Sequence, residues 1–176
     1  MVNLGKTLVV IGHHKEELDF GRELRRYMIL RGCRDIGFYQ VINSFTNNGH
    51  GTKEQISAAS SEICRELQRS QPRITIDVHT GDGAPKWNGI ELKTMFEYEK
   101  LLPLSEFETE EAFAHQPGKV FVPKNYSKGL PLLSQEKFPY VFLEQYILNP
   151  NGSLSVKEID FTKKTIEKIS ALYEKK

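Results

Sequence analysis

Histidine and glutamate side chains cluster directly after the first apolar segment of the chain, in the sequence GHHKEE (12–17). His14 and Glu17 are three residues apart, so on a helical turn their imidazole and carboxylate point to the same side. His13 and Glu16 have the same spacing. An exposed ion pair is the simplest interpretation of one such pair, and a third ligand from elsewhere in the chain favours a metal site instead.

A third candidate ligand follows another apolar segment. In the sequence IDVHTGDG (76–83), His79 stands at the end of a predicted strand, beside a glycine-rich loop. Two histidines and one carboxylate are the protein ligands of a catalytic zinc site that leaves its fourth position for water, which implies hydrolysis. Asp77 lies two residues before His79 and on the same strand face, where it either orients a ligand imidazole or caps a neighbouring turn.

One carboxylate, Glu144, interrupts the aromatic segment YVFLEQYIL (140–148). If this segment is a strand of the same sheet, Glu144 lies near the edge where the candidate ligands meet, and it is then the candidate acid and base for amide cleavage. A structural ion pair with a nearby lysine is the alternative interpretation.

These side chains need a scaffold that brings the ends of several strands together. Short apolar segments predict strands at 7–12, 37–42, 74–78 and 140–148. Segments with apolar residues at helical spacing follow, near Phe20, after Thr52 and after Ser155. This order predicts an α/β fold of three layers, with a mostly parallel or mixed central sheet and helices on both faces.

The length of 176 residues suits one domain, covering 1–176. Residues 81–133 are less regular, and we expect them to form an elaboration of that domain. Within it, the pattern indicates a half-exposed strand at 89–96, a short acidic helix at 105–115 and a brief strand at 120–123.

Composition argues against several classes of protein. The chain has 24 Lys and Arg against 23 Asp and Glu, a net charge of +1 with no strongly basic segment, so nucleic-acid binding is not expected. Its apolar segments are too short to cross a membrane and lack the pattern of a secretory signal. The 2 cysteines show no metal-binding spacing. We therefore expect a cytoplasmic protein, with an oligomeric state that the sequence does not indicate.

The sequence resembles a known family in three short blocks, 7–19, 74–83 and 140–147. GHHKEE fits the G-x-H-x-x-E pattern, and IDVHTG the later D-x-H strand end, of the zinc carboxypeptidase superfamily, particularly its succinylglutamate desuccinylase and aspartoacylase branch. The resemblance implies a compact version of that family's fold and a zinc cofactor.

The resemblance also assigns roles to individual residues. It implies that zinc is held by His14, Glu17 and His79, and that Glu144 is the catalytic carboxylate. In the pair His14 and Glu17 the histidine follows the glycine by two places, as in the family pattern. His13 is then expected outside the ligand set or at the surface, as is Glu16.

The chain departs from the family in one respect that concerns the substrate. The family's Asn-Arg pair has its nearest counterpart at Asn43, which is followed by Ser44, so the arginine is missing. Asn43, Lys53 and Lys86 are the weaker candidates for binding substrate, although lysine lacks the bidentate fork of arginine.

The predicted function is zinc-dependent hydrolysis of an amide bond in a small N-acyl amino acid or short peptide. The alternative is a non-catalytic α/β module that binds a metal or a small anion.

Overall fold

The computed structural model of the chain describes residues 7–45, 51–82, 89–94, 119–121, 139–147 and 156–174. The strands are β1 (Thr7–Ile11), β2 (Ile36–Gln40), β3 (Ile74–Asp82), β4 (Gly89–Thr94), β5 (Lys119–Phe121) and β6 (Tyr140–Ile147). The helices are α1 (Leu18–Leu30), α2 (Lys53–Ser70) and α3 (Val156–Glu174), and a 3-10 turn at Lys15–Glu17 precedes α1.

The six strands form one mixed sheet in the order β2-β1-β3-β6-β4-β5. β1 pairs in parallel with β2 and β3, and β3 pairs in parallel with β6. β4 runs antiparallel to β6, and β5 runs parallel to β4. The predicted sheet is confirmed, and the two strands at one edge come from the segment 81–133 that the sequence marks as an elaboration.

Each face of the sheet is covered by helices, so the predicted three layers are confirmed. Residues at alternate positions of β1, β3 and β6 pack against α1 and α3, among them Val9, Ile76 and Leu143. The intervening positions, such as Val10 and Phe142, pack against α2 on the other face. Because side chains alternate along a strand, the positions 75, 77 and 79 of β3 belong to the α2 face.

The helix boundaries follow local signals in the sequence. The Thr52 hydroxyl accepts a hydrogen bond from the Gln55 backbone N–H, and the Gln55 side chain accepts one from the Thr52 backbone N–H, which confirms the predicted capping box. Gly32, with φ of +78°, follows the end of α1 as predicted. The expected helix at 105–115 and Ser155 lie outside the described residues.

Two features of this topology place a site at the carboxyl ends of the central strands. The chain leaves β1 through α1 to β2 on one side and returns through α2 to β3 on the other, so the connections diverge between the carboxyl ends of β1 and β3. β3 is also longer than predicted, because it pairs with β6 as far as Asp82.

Within the described residues, no helix is both long enough and apolar enough to cross a bilayer.

Candidate metal centre

The site begins where β1 stops and β3 continues. Ile11 is the last residue of β1 and pairs with Val78, so His79 is the first residue of β3 beyond the end of its neighbour. Gly12 then turns the chain with φ of +72°, and a Cβ at this position would collide with the side chain of Leu18. A glycine is therefore required at this position. It turns the following histidines toward the part of β3 that extends beyond the end of β1.

The loop after β2 holds this turn in place. The Ser44 hydroxyl donates to the Gly12 carbonyl at 2.5 Å, the Phe45 N–H donates to the His13 carbonyl at 3.4 Å, and the Lys15 N–H donates to the Phe45 carbonyl at 3.0 Å. The Phe45 ring also packs edge-on against two imidazoles, with centroid distances of 5.5 Å to His13 and 4.9 Å to His14. The orientation of both histidines thus depends on the loop after β2.

Glu17 joins the turn to the end of β3. Its Oε2 accepts from the His14 backbone N–H at 3.0 Å, while its Oε1 lies 2.8 Å from His14 Nδ1 and 3.0 Å from His79 Nδ1. Glu17 as a whole is 3% exposed. The structure therefore brings the three predicted ligands together around one carboxylate oxygen.

The electrostatic environment keeps Glu17 ionised. Burial by itself raises the pKa of this carboxyl, but the charge of His79 and the hydrogen bonds from His14 and His79 outweigh burial and lower the pKa to about 2. A charged carboxylate beside two imidazole nitrogens is a set of donors that a divalent cation can use.

Asp77 occupies the opposite side of His79. Its Oδ2 lies 3.2 Å from His79 Nε2 and 3.2 Å from His13 Nδ1, and it accepts a hydrogen bond from the Tyr140 hydroxyl at 2.7 Å. Asp77 has no exposed surface. Burial raises the pKa of this carboxyl, and the charge of the adjacent His79 with the hydrogen bond from His13 overcomes that effect and holds the pKa well below its usual range.

Two overlapping sets of side chains have the composition of a metal site. In each set, His14, Glu17 and His79 or His13, Asp77 and His79, the donor atoms lie within 4.8 Å of one another. Two of the buried polar atoms, Asp77 Oδ1 and His79 Nε2, have no hydrogen-bond partner among the described residues. Buried groups of this kind are normally satisfied, so the residues present fit a bound cation.

Glu144 stands beside this centre on the next strand. It is the register partner of His79 in the parallel pair β3 and β6, and its side chain is half-buried. Tyr140 and Phe142 of the same strand pack on the α2 face, so alternation places Glu144 on that face too. The predicted catalytic carboxylate and the predicted ligand His79 are therefore neighbours.

The weaker candidates for substrate binding lie elsewhere or are already engaged. The Asn43 amide donates to Glu62 at 2.7 Å, which places its side chain against α2. Lys53 is exposed at the start of α2, and Lys86 lies outside the described residues. Of the two residues expected outside the ligand set or at the surface, Glu16 is exposed, whereas His13 is buried at 3% exposure against Asp77.

Sequence reasoning missed the partners that hold these residues in place. In the sequence, Tyr140 is one of several aromatic residues in a predicted apolar strand. Its hydrogen bond to Asp77 could not be predicted because it depends on the register of β3 and β6. Glu62 reads as one charged position on α2, yet it is 4% exposed and accepts hydrogen bonds from Tyr39, Ile42 and Asn43. The sequence contains no local signal for either contact.

Comparisons with known proteins identify no family. No protein-family profile matches the chain, and no curated protein matches it. Among solved structures, the chain is similar to the N-acetylmuramoyl-L-alanine amidase AmiC2 of Nostoc punctiforme, with a TM-score of 0.49 and 12% identity over 98% of this chain and 99% of that one.

Two further amidase structures are similar at the same distance. For the catalytic domain of CwlV from Bacillus (Paenibacillus) polymyxa var. colistinus, the TM-score is 0.47 and the identity 10%, over 96% of each chain. For CwlD from Clostridioides difficile, in complex with the GerS lipoprotein, they are 0.46 and 14%, over 96% of this chain and 94% of that one. None of the three is named a carboxypeptidase, desuccinylase or aspartoacylase, and no comparison supports that branch.

Proposed function

We propose that the chain is a zinc-dependent hydrolase that cleaves an amide bond. One observation carries the proposal: His14, Glu17 and His79, from two distant segments, meet around a single carboxylate oxygen at 2.8 and 3.0 Å. An exposed ion pair would not need a buried carboxylate with imidazoles from two segments of the chain around it, whereas two histidines and one carboxylate are the protein ligands of hydrolytic zinc sites.

The side chains around the proposed ligands orient them for binding zinc. His14, Glu17 and His79 would hold the zinc ion, which would supply a Lewis acid that polarises the scissile carbonyl and makes water acidic enough to ionise near neutrality. Asp77 lies against the ring nitrogen of His79 that faces away from Glu17, so it orients the imidazole and favours the tautomer whose Nδ1 is free to bind.

Glu144 is the proposed acid and base. Its position as the register partner of His79 on β6 supports this role, in which Glu144 takes a proton from the attacking water and delivers it to the amine nitrogen as the amide bond breaks. The products are a carboxylic acid and an amine, and Glu144 returns to its starting state.

The substrate class is a small N-acyl amino acid or short peptide. We propose this class because the site lies at the carboxyl ends of the strands, where α/β folds bind small ligands. The proposed zinc hydrolysis also suits an amide bond. A panel of N-acyl amino acids with different acyl groups tests it. N-acetylmuramoyl-L-alanine, which the names of two of the similar structures contain, forms a separate arm of that panel.

The decisive experiment combines metal analysis with one substitution. Purified chain is expected to contain about one zinc at this site, and Glu144→Gln is expected to keep that zinc while losing about 10²–10⁴-fold in turnover. A non-catalytic module predicts zinc without turnover in either protein. Absence of bound metal from the unsubstituted chain, with His14→Ala changing nothing but solubility, contradicts the hydrolase proposal.

A further inference from the structure

The side of His79 that faces away from Glu17 carries a second set of metal-binding groups. His13 and Asp77 lie there, and both ring nitrogens of His79 face a carboxylate: Nδ1 lies 3.0 Å from Glu17 Oε1, and Nε2 lies 3.2 Å from Asp77 Oδ2. The ring therefore stands between two sites of similar composition, and the proposed hydrolysis uses only the first.

Orientation of His79 does not by itself explain this second set. Although Nε2 is within 3.2 Å of Asp77 Oδ2, it makes no hydrogen bond in the part of the chain that the structure describes, and the same holds for Asp77 Oδ1. Both atoms are buried, and a purely orienting carboxylate would be expected to accept the imidazole proton in good geometry. His13 adds a further nitrogen, with Nδ1 3.2 Å from Asp77 Oδ2.

We propose that His13, Asp77 and His79 form a second cation site, which shares the imidazole of His79 with the first. Two imidazole nitrogens and one carboxylate oxygen suit a borderline divalent ion such as Zn²⁺ or Co²⁺ better than Mg²⁺ or Ca²⁺, which prefer oxygen ligands. When only the first site is loaded, Nε2 of His79 carries a proton. The second cation takes the place of that proton, which leaves to solvent.

The location of the second site implies a structural or modulating role. His13 is 3% exposed and Asp77 has no exposed surface, so a cation there has little room for a substrate. The first site is the more open one, since the side chain of His14 is 18% exposed. The second cation carries one more positive charge than the proton it replaces, and this added charge raises the electrostatic potential at the first site and makes the cation there a stronger Lewis acid.

This inference concerns the cation sites and rests on the proposed function only for the first of them. Chelator-treated chain is titrated with Co²⁺, and the bound ion is counted by equilibrium dialysis and followed by visible absorption. Unsubstituted chain is expected to bind two Co²⁺. His14→Gln and His13→Gln are each expected to bind one, with different absorption bands, and the double variant none. Glu17→Gln provides a second protein that disables the first site alone, should His14→Gln fail to fold.

The outcomes separate this inference from the proposed function. One Co²⁺ in the unsubstituted chain, kept by His13→Gln and lost by both His14→Gln and Glu17→Gln, overturns the second site and leaves the hydrolase proposal intact. No Co²⁺ in the unsubstituted chain overturns both. Circular dichroism of each variant checks that lost binding does not reflect lost folding.

Discussion

The Nδ1 atom of His79 lies 3.0 Å from Oε1 of Glu17, a residue 62 positions earlier in the chain. The contact exists because β1 and β3 are adjacent and parallel, and because β1 ends one residue before the position that pairs with His79. The 3-10 turn after β1 then fills the space beside the exposed end of β3. Two residues that are far apart in the sequence thus form one site, because β3 extends beyond the end of β1.

Substitution of Glu17 tests this contact directly. Glu17→Gln replaces a charged ligand by a neutral amide, and we expect the affinity for Zn²⁺ to fall by more than about 100-fold, beyond the usual effect of losing a supporting residue. Glu16→Gln is the matched control, since Glu16 is an exposed carboxylate in the same turn. Competition with a chromophoric chelator measures both affinities. Equal losses in the two variants would show that general charge near the turn, and not ligation, determines binding.

Gly12 is expected to be the more sensitive of two glycines with positive φ. Both Gly12 and Gly32 have φ between +70° and +80°, at +72° and +78°, so alanine strains the backbone by about 1 kcal/mol at either position. A Cβ at Gly12 also collides with Leu18, whereas at Gly32 it meets nothing within 4 Å. Denaturant unfolding should therefore show a loss for Gly12→Ala that exceeds the loss for Gly32→Ala by about 1–3 kcal/mol. Similar losses would mean that Leu18 moves aside freely.

Removal of the Tyr140 hydroxyl is expected to destabilise the chain. Tyr140→Phe deprives Asp77 of a buried hydrogen bond of 2.7 Å, and bonds to a buried charge contribute about 1.5–3 kcal/mol. Tyr27→Phe removes a similar bond, of 3.0 Å, to the more accessible Asp160, so its expected effect is below about 1 kcal/mol. The free energies of unfolding are compared in chelator, so that metal binding does not contribute. A larger loss in Tyr27→Phe would contradict the importance assigned to Asp77.

Stability is expected to depend on pH through Glu62. Burial raises the pKa of this carboxyl, and the hydrogen bonds from Ile42, Tyr39 and Asn43 outweigh burial, so the pKa lies below its usual value. A lowered folded-state pKa contributes stability at pH values above the unfolded pKa, and that stability is lost as the pH falls through the folded pKa.

Glu62→Gln provides the comparison. At neutral pH we expect the variant to unfold about 2 kcal/mol more easily, because amide acceptors replace charged ones. As the pH falls below about 4, the unsubstituted chain should lose this advantage and the two curves should converge. A difference in stability that stays constant from neutral pH down to the acid-unfolded range would exclude ionisation of Glu62 as its source.

The sequence by itself was sufficient for the positions of the described helices, for the approximate positions of the strands and for the first set of candidate ligands, His14, Glu17 and His79. Apolar runs and capping residues such as Thr52 act over a few neighbours, so periodicity reports them. The same holds for the spacing of His14 and Glu17, which one turn of chain decides.

Tertiary structure alone decided which of these groups meet. The burial of His13, the hydrogen bond from Tyr140 to Asp77 and the placement of Glu144 beside His79 all depend on strand order and register. Register is set by the packing of whole faces of the sheet against α2 and against α1 and α3, which involves residues far apart in the chain. No short segment of sequence carries that information, because the free energy that selects it arises only when the layers pack.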